Sequence, residues 1–252
     1  AEGSDGRTGR AALSAAQLQT LYHEVGHALH ALLSRTEFQH LAGVRAPLDF
    51  VETPALLMEH FARDSRVLRG WATHARSGEP LPPPLAARFC ASRERVVASE
   101  WQAQAMRALL DLELHSDVRH APPERSAALA RELAARHTGQ PQPAEAAARG
   151  LAGFGHLASY GAGYYSYLWA RSLSRRVWRE CFEADPLRSE AGARWRDGVL
   201  RHGGAREPRQ MLRELLAASA SARAGAPPVE DEAEAALLDL VSLHESVMLP
   251  KT

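Results

Sequence analysis

Five residues, His23 to His27, follow the pattern HExxH, which functions only on a helix. A helix places the two histidines one turn apart on one face, with Glu24 beside them. Residues 21–46 contain no proline, and the local pattern predicts a helix over about residues 15–33. Two imidazoles and a carboxylate in this arrangement are typical of a zinc site, so the sequence predicts a metal-binding helix here.

A catalytic zinc needs a third protein ligand, because HExxH supplies only two. The longer pattern HExxHxxGxxH is excluded, since residues 30 and 33 are not the glycine and histidine that it requires. Glu52, on the next predicted helix, is a candidate third ligand. The alternative is a capping box formed by Asp49 and Glu52, with Pro54 in the first turn of the helix. Spacing alone leaves both interpretations open.

Longer stretches resemble a known family. The run HEVGHALHALLSRT and the later run DFVETPALLMEHFARD are similar to the thimet oligopeptidase family of zinc peptidases. The likeness extends over nearly the whole chain after about residue 19, and it is greatest to the family members that process mitochondrial precursors. The resemblance implies an all-α fold, the zincin of the thimet oligopeptidase and neurolysin type. It also implies one Zn²⁺ per chain, with His23, His27 and Glu52 as its ligands.

The resemblance implies further catalytic roles. Glu24 would be the catalytic base, His156 and Tyr167 would stabilise the oxyanion, and Tyr160 and Tyr164 would position the substrate. The three tyrosines share one face if their segment is helical. Without the resemblance, the better interpretation of these tyrosines is a packed aromatic stripe.

Three residues near the predicted site have structural interpretations as well. Glu59 follows Glu52 on the same predicted face and is a candidate partner for the second ring nitrogen of a histidine ligand, with a solvated glutamate as the alternative. His30 is predicted to be packed or hydrogen-bonded, since three ligands are already supplied. Gly26 costs about 1 kcal/mol relative to alanine inside a helix, which predicts that another backbone approaches closely there.

The balance of charges and the hydropathy of the chain indicate which classes of partner to expect. Lysine plus arginine equals aspartate plus glutamate at 30 each, so no net field favours nucleic acid or an anionic membrane surface. No apolar run approaches the length of a membrane span. We therefore expect neither nucleic acid nor a membrane as a partner. The resemblance implies a peptide or a precursor protein as the substrate.

Proline, glycine and charge patterns divide the chain into helices and breaks. Residues 1–12 are predicted to be a flexible lead-in, residues 13–223 a helical zinc-peptidase catalytic region, and residues 224–252 a linker with a terminal helix. Within the catalytic region, a helix is predicted over residues 49–76 and another over residues 85–116. Residues 40–46 are predicted to be extended.

The family's proteins are far longer than 252 residues, and their HExxH motif lies well past the middle. The chain is therefore expected to correspond to a C-terminal portion of such an enzyme, incomplete relative to the full fold. The N-terminal half of the fold would then be a further partner.

The resemblance implies a zinc metalloendopeptidase that removes N-terminal octapeptides from imported precursors in the mitochondrial matrix. Residues 1–10 show no transit peptide, so the compartment rests on the resemblance alone. One alternative is a general oligopeptidase, organellar or cytoplasmic, that degrades short or unfolded peptides. The other is a non-catalytic, truncated fragment of either enzyme.

Overall fold

The protein is helical throughout the part that the computed structural model describes, residues 13–94, 97–116, 123–138 and 143–221. These residues contain no β-strand, only an isolated antiparallel bridge between Thr73 and Pro80. The predicted all-α class is therefore confirmed for them. The α-helices are α1 Ala15–Leu33, α2 Leu48–Val51, α3 Thr53–Ala62, α4 Ser65–Arg69, α5 Pro83–Glu94, α6 Val97–His115, α7 Pro123–Thr138, α8 Ala144–Ala152, α9 His156–Ser159, α10 Tyr165–Val177, α11 Ser189–Gly198 and α12 Pro208–Ser221.

Contacts divide the chain into two compact units. The described part of the first unit comprises residues 13–94 and 170–221, and that of the second comprises residues 97–169. The predicted catalytic region, residues 13–223, covers both units and stays a prediction. The predicted lead-in over residues 1–12 and the predicted linker and terminal helix over residues 224–252 lie outside the described residues.

Helix α1 begins at a capping box. The hydroxyl of Ser14 accepts a hydrogen bond from the backbone N–H of Gln17 at 3.2 Å, and the Gln17 side chain accepts one from the Ser14 N–H at 2.9 Å. These two bonds satisfy N–H groups that would have no partner inside the helix. The helix ends at Leu33, so the predicted bounds of about 15–33 are confirmed.

Helix α1 packs against α3 with the two backbones in direct contact at Gly26. A Cβ atom added to Gly26 would lie 2.5 Å from the Cα of Ala55 and 2.7 Å from the carbonyl oxygen of Pro54. No side chain fits in that space. The predicted close approach of another backbone at Gly26 is therefore confirmed, and the approaching element is α3.

The helix predicted over residues 49–76 is wrong, because α2, α3 and α4 occupy this segment instead. Pro54 in the first turn of α3 has no N–H to continue the hydrogen bonding of α2. Asp64 then begins α4, accepting a hydrogen bond from the Arg66 N–H at 2.8 Å. The capping-box alternative is wrong too, since Asp49 lies inside α2 and the side chain of Glu52 makes no capping bond. The Glu52 carboxylate therefore has no capping role.

Two other expectations differ from the structure. The segment 40–46 is not extended; it contains a short 3₁₀ turn at Gln39–Leu41 followed by bends. The carbonyl oxygen of Leu41 accepts a hydrogen bond from the N–H of Gly204 at 2.8 Å, so a distant loop determines the local conformation. The helix predicted over residues 85–116 is described as two helices, α5 and α6, with residues 95 and 96 outside the described part.

The first unit joins two distant stretches of sequence. The N–H of Arg35, just after α1, donates to the carbonyl oxygen of Arg201 at 2.7 Å. The guanidinium of Arg66 donates to the carbonyl oxygens of Glu183 and Ala184 at 2.8 and 2.9 Å. The core of this unit includes side chains from both stretches, among them Phe50, Leu57, Val177, Val199 and Met211.

Candidate metal centre

Two histidines of α1 point to the same side of the helix. His23 and His27 lie one helical turn apart, and their ring centroids are 5.0 Å apart with the ring planes at 81°. Both side chains are half-buried. The uninterrupted hydrogen bonding of α1 holds the two Nε2 atoms toward the same space.

Glu52 completes a group of three ligand atoms. It lies between α2 and α3, and its Oε2 atom is 3.2 Å from His23 Nε2 and 3.4 Å from His27 Nε2. Two ligands held about 2.1 Å from a tetrahedral zinc ion are about 3.4 Å apart, so these separations fit one zinc ion. Among the described residues, this is the one group of three or more His, Cys, Asp or Glu residues whose ligand atoms lie within 4.8 Å of one another.

Glu59 contacts the other nitrogen of the His23 ring. Its Oε1 atom lies 2.9 Å from His23 Nδ1, so the ring donates this hydrogen bond and leaves Nε2 available as a ligand. Its Oε2 atom accepts a hydrogen bond from Gln19 at 2.7 Å, and Arg171 and Arg63 lie 3.6 and 3.7 Å from it. Glu59 is only 6% exposed, so the alternative of a solvated glutamate is wrong.

The charges of the cluster suit a cation. Burial lowers the pKa of His23, but the hydrogen bonds and charges of Glu52 and Glu59 outweigh it and raise this pKa to about 9. Burial raises the pKa of Glu52, but its two histidine neighbours outweigh it and lower this pKa to about 2. Without a metal, the cluster is an imidazolium between two carboxylates. A divalent cation would replace the proton in the same arrangement of charges.

Two more residues of α1, Glu24 and His30, differ in their exposure to solvent. Glu24 is exposed, with its carboxylate next to the histidine pair along the chain. His30 is fully buried, and neither ring nitrogen has a hydrogen-bond partner among the described residues. Burial, with the charge of His27 in second place, lowers the pKa of His30 to about 4. His30 is therefore a packed, neutral ring.

The second unit brings the other predicted residues together. The Nε2 atom of His156 lies 3.2 Å from the Tyr167 hydroxyl. The His156 ring centroid is 5.9 Å from that of Tyr160, 5.2 Å from that of Tyr164 and 5.6 Å from that of Tyr167. Tyr164 is buried, whereas Tyr160 is 52% exposed. The four rings form one aromatic cluster.

The segment of the three tyrosines is not one helix, so the condition under which they would share a helical face is not met. Helix α9 ends at Ser159 and α10 begins at Tyr165, with a turn between them in which Ala162 has a φ of 58°. The rings converge because this turn folds back, bringing Tyr160 and Tyr164 to His156.

Sequence reasoning missed partners that come from far along the chain. Arg171 and Gln19 contact Glu59, and Gln104 accepts a hydrogen bond from the Tyr164 hydroxyl at 2.7 Å. Gln104 lies sixty residues from Tyr164. No motif or local period links such residues, so no sequence signal could have found these contacts.

Comparison with known proteins agrees with this geometry. The model of Peptidase family M3 matches residues 6–227. This chain belongs to peptidase family M3. The predicted family resemblance and the zincin-type all-α fold class are therefore confirmed.

Curated M3 relatives include proteins named mitochondrial intermediate peptidase. The chain is 38% identical to the protein of Homo sapiens over 228 residues, 90% of this chain and 30% of that protein. It is 42% identical to the protein of Malassezia globosa over 199 residues, 79% of this chain and 24% of that protein. The Arabidopsis thaliana protein is 37% identical over 203 residues, 81% of this chain and 28% of that protein. The chain thus spans about three tenths or less of these relatives' length.

None of the described helices combines the length and the apolar character that a bilayer crossing requires.

Proposed function

We propose that this chain carries the metal site of a zinc-dependent metalloendopeptidase. The observation that carries the proposal is the placement of three ligand atoms, with Glu52 Oε2 at 3.2 and 3.4 Å from the Nε2 atoms of His23 and His27. Two nitrogens and one carboxylate oxygen form the donor set of many catalytic zinc sites, in which water takes the fourth position. Membership of a peptidase family supports the same conclusion.

Residues of α1, together with Glu52 and Glu59, would have separate roles in catalysis. Zinc held by His23, His27 and Glu52 would polarise the scissile carbonyl and lower the pKa of a bound water to about 7. Glu24 would accept the proton of the attacking water and deliver it to the leaving amine. Its exposed carboxylate on the helix of both histidines supports this role. Glu59 would hold the His23 ring in one tautomer through the 2.9 Å hydrogen bond to Nδ1.

The aromatic cluster of the second unit would act on the substrate. His156 and Tyr167 would donate hydrogen bonds to the oxyanion of the tetrahedral intermediate, and Tyr160 and Tyr164 would position the peptide. The 3.2 Å separation between His156 Nε2 and the Tyr167 hydroxyl supports a shared role, because both donors can reach one oxygen atom.

The relatives' names suggest a mitochondrial compartment, and the family resemblance implies the substrate. We infer that the chain acts in the mitochondrial matrix, and that it removes N-terminal octapeptides from imported precursors together with the rest of a longer fold. A general oligopeptidase would use the same catalytic residues. Octapeptide removal from an intact precursor, compared with cleavage of short free peptides, distinguishes the two activities.

Metal binding tests the proposed function. We expect the metal-free chain to take up one Zn²⁺ per molecule, and Glu52→Gln to weaken the zinc affinity by more than about 100-fold, because it removes a ligand. Isothermal titration and metal analysis of the dialysed protein would measure both quantities. Glu37→Gln, at an exposed glutamate outside the cluster, is the matched control.

The same protein would be tested for zinc-dependent cleavage of a quenched fluorescent peptide. Uptake of zinc without cleavage would contradict activity of the chain alone. Cleavage restored by adding the N-terminal region of a relative would assign the activity to the two parts together. No zinc uptake would contradict the proposal entirely.

Glu59→Gln is expected to lower the zinc affinity by about 10- to 100-fold, because a neutral amide holds the His23 ring more weakly than a carboxylate does. The affinity would be measured by competition with a chromogenic chelator. Glu79→Gln, at an exposed glutamate, should leave it unchanged. An unchanged affinity in Glu59→Gln would mean that Glu59 only pairs with its arginine neighbours.

A further inference from the structure

A buried carboxylate of α6 binds the turn between α9 and α10. Asp111 is 1% exposed, and its Oδ1 atom accepts a hydrogen bond from the Ala162 N–H at 3.0 Å. Its Oδ2 atom accepts one from the Tyr164 N–H at 2.9 Å. Each oxygen of the carboxylate thus accepts a hydrogen bond from a backbone N–H of the same turn, 51 and 53 residues further along the chain.

The turn needs such a partner because its backbone is strained. Ala162 has a φ of 58°, in the left-handed region that residues with a Cβ atom rarely adopt. A conformation of this kind persists only when its surroundings hold it. The hydrogen bonds to Asp111 fall on Ala162 itself and on the second residue after it, so they act where the strain is.

His115 contacts both Asp111 and the backbone of Gly161 in the same turn. Its Nδ1 atom lies 3.0 Å from Asp111 Oδ1, one helical turn earlier. A Cβ atom added to Gly161 would lie 2.5 Å from His115 Nε2, so the ring rests on the glycine backbone. The turn is thus held by hydrogen bonds and by direct packing.

The position of Tyr164 depends on this turn. Its N–H is bound by Asp111, and its hydroxyl donates to Gln104 Oε1 at 2.7 Å, so α6 holds the residue at both ends. Between these ends, the Tyr164 ring centroid lies 5.2 Å from that of His156 and 5.2 Å from that of Tyr167. A movement of the turn would therefore move the Tyr164 ring, which packs against His156 and Tyr167.

We propose that Asp111 is a positioning residue, which holds the turn at residues 160–164 so that Tyr164 fixes the His156–Tyr167 pair in its working geometry. The proposal rests on the proposed function, in which this pair acts on the oxyanion. Asp111 itself acts through the turn, because both of its oxygens are occupied by backbone N–H groups.

The test is Asp111→Asn in the full chain, with Glu113→Gln, an exposed carboxylate of the same helix, as the matched control. The amide of asparagine places a donor where one backbone N–H needs an acceptor. We expect amide hydrogen exchange in residues 160–164 to become at least about tenfold faster. We also expect kcat for peptide cleavage to fall at least about tenfold with little change in KM, because the lost geometry serves the transition state.

A second substitution tests the cause. Adding Ala162→Gly to Asp111→Asn should recover part of kcat and of the exchange protection, since glycine adopts a positive φ without a steric penalty. If Asp111→Asn does not fold, Gly161→Ala replaces it, because the new Cβ atom would displace the His115 ring from the turn. The same faster exchange and lower kcat are expected for it.

Three results would overturn the proposal: unchanged exchange over residues 160–164 in Asp111→Asn, faster exchange with an unchanged kcat, or equal effects in Glu113→Gln. The exchange measurement needs neither zinc nor turnover. A wild-type chain that shows no Glu24-dependent cleavage, either alone or with the N-terminal region of a relative added, would overturn the proposed function and the catalytic part of this proposal together. Unchanged exchange would overturn this proposal alone.

Discussion

Glu24→Gln is expected to lower kcat/KM for peptide cleavage by about a thousandfold while zinc binding stays at the wild-type level. Glutamine keeps the size of the side chain but cannot take the proton from the attacking water. The zinc affinity should not change, because the three converging ligand atoms belong to His23, His27 and Glu52. Steady-state cleavage and metal analysis of the same preparation would measure both effects.

The control for Glu24→Gln is Glu37→Gln, an exposed glutamate just beyond the same helix, which should cleave peptide like the wild type. Loss of zinc together with activity would show that Glu24 supports the metal and is not a base. Wild-type turnover in Glu24→Gln would remove the general base from the proposed mechanism.

Gly26→Ala is expected to reduce the free energy of unfolding by about 3 kcal/mol, because overpacked interiors must shift backbone to make room. The new Cβ atom would lie 2.5 Å from the Cα of Ala55, and neither helix can give way by rotating a side chain. Glu52 immediately precedes α3, so the shift should also weaken zinc binding. Urea denaturation of the metal-free protein would measure the stability change.

Gly192→Ala is the matched control for Gly26→Ala. Gly192 also lies inside a helix, α11, but an added Cβ atom there meets nothing within 4 Å. The same chemical change should therefore stabilise the protein at that position, by up to about 1 kcal/mol. Equal effects at the two glycines would contradict the backbone contact between α1 and α3.

Local signals were sufficient for α1. Ser14 and Gln17 form the cap, the proline-free run allows the helix, and HExxH places its two histidines by helical period alone. Gly26 also predicted the close contact with another backbone. A glycine inside a helix is unfavourable, so its presence indicates that a side chain has no room there. The signals for these features lie within α1 and its cap, although the Gly26 contact itself is made with Pro54 and Ala55 of α3.

Other features of the site depend on distant residues. Spacing left Glu52 between a cap and a ligand. The structure excludes the cap, since the side chain makes no capping bond, and the position of its Oε2 atom beside both histidines supports the proposed ligand role. The tyrosines share no helical face because the turn between α9 and α10 interrupts their segment; in this turn Ala162 has a positive φ and its N–H donates to Asp111. No pattern in the tyrosine segment predicts the contact with the Asp111 carboxylate.

The discontinuous first unit has a consequence for the order of synthesis. A ribosome makes α1 and α3 before the rest of the first unit, and Arg201, which accepts the hydrogen bond from the Arg35 N–H, is made more than 160 residues after Arg35. At roughly 5–20 residues per second, that delay is of the order of ten seconds or more. The second unit, which ends at residue 169, is complete before Arg201 is made, while α1 still lacks this contact. The nascent chain therefore exposes His23, His27 and Glu52 before the first unit is finished, and chaperone or protease access should be greatest in that interval.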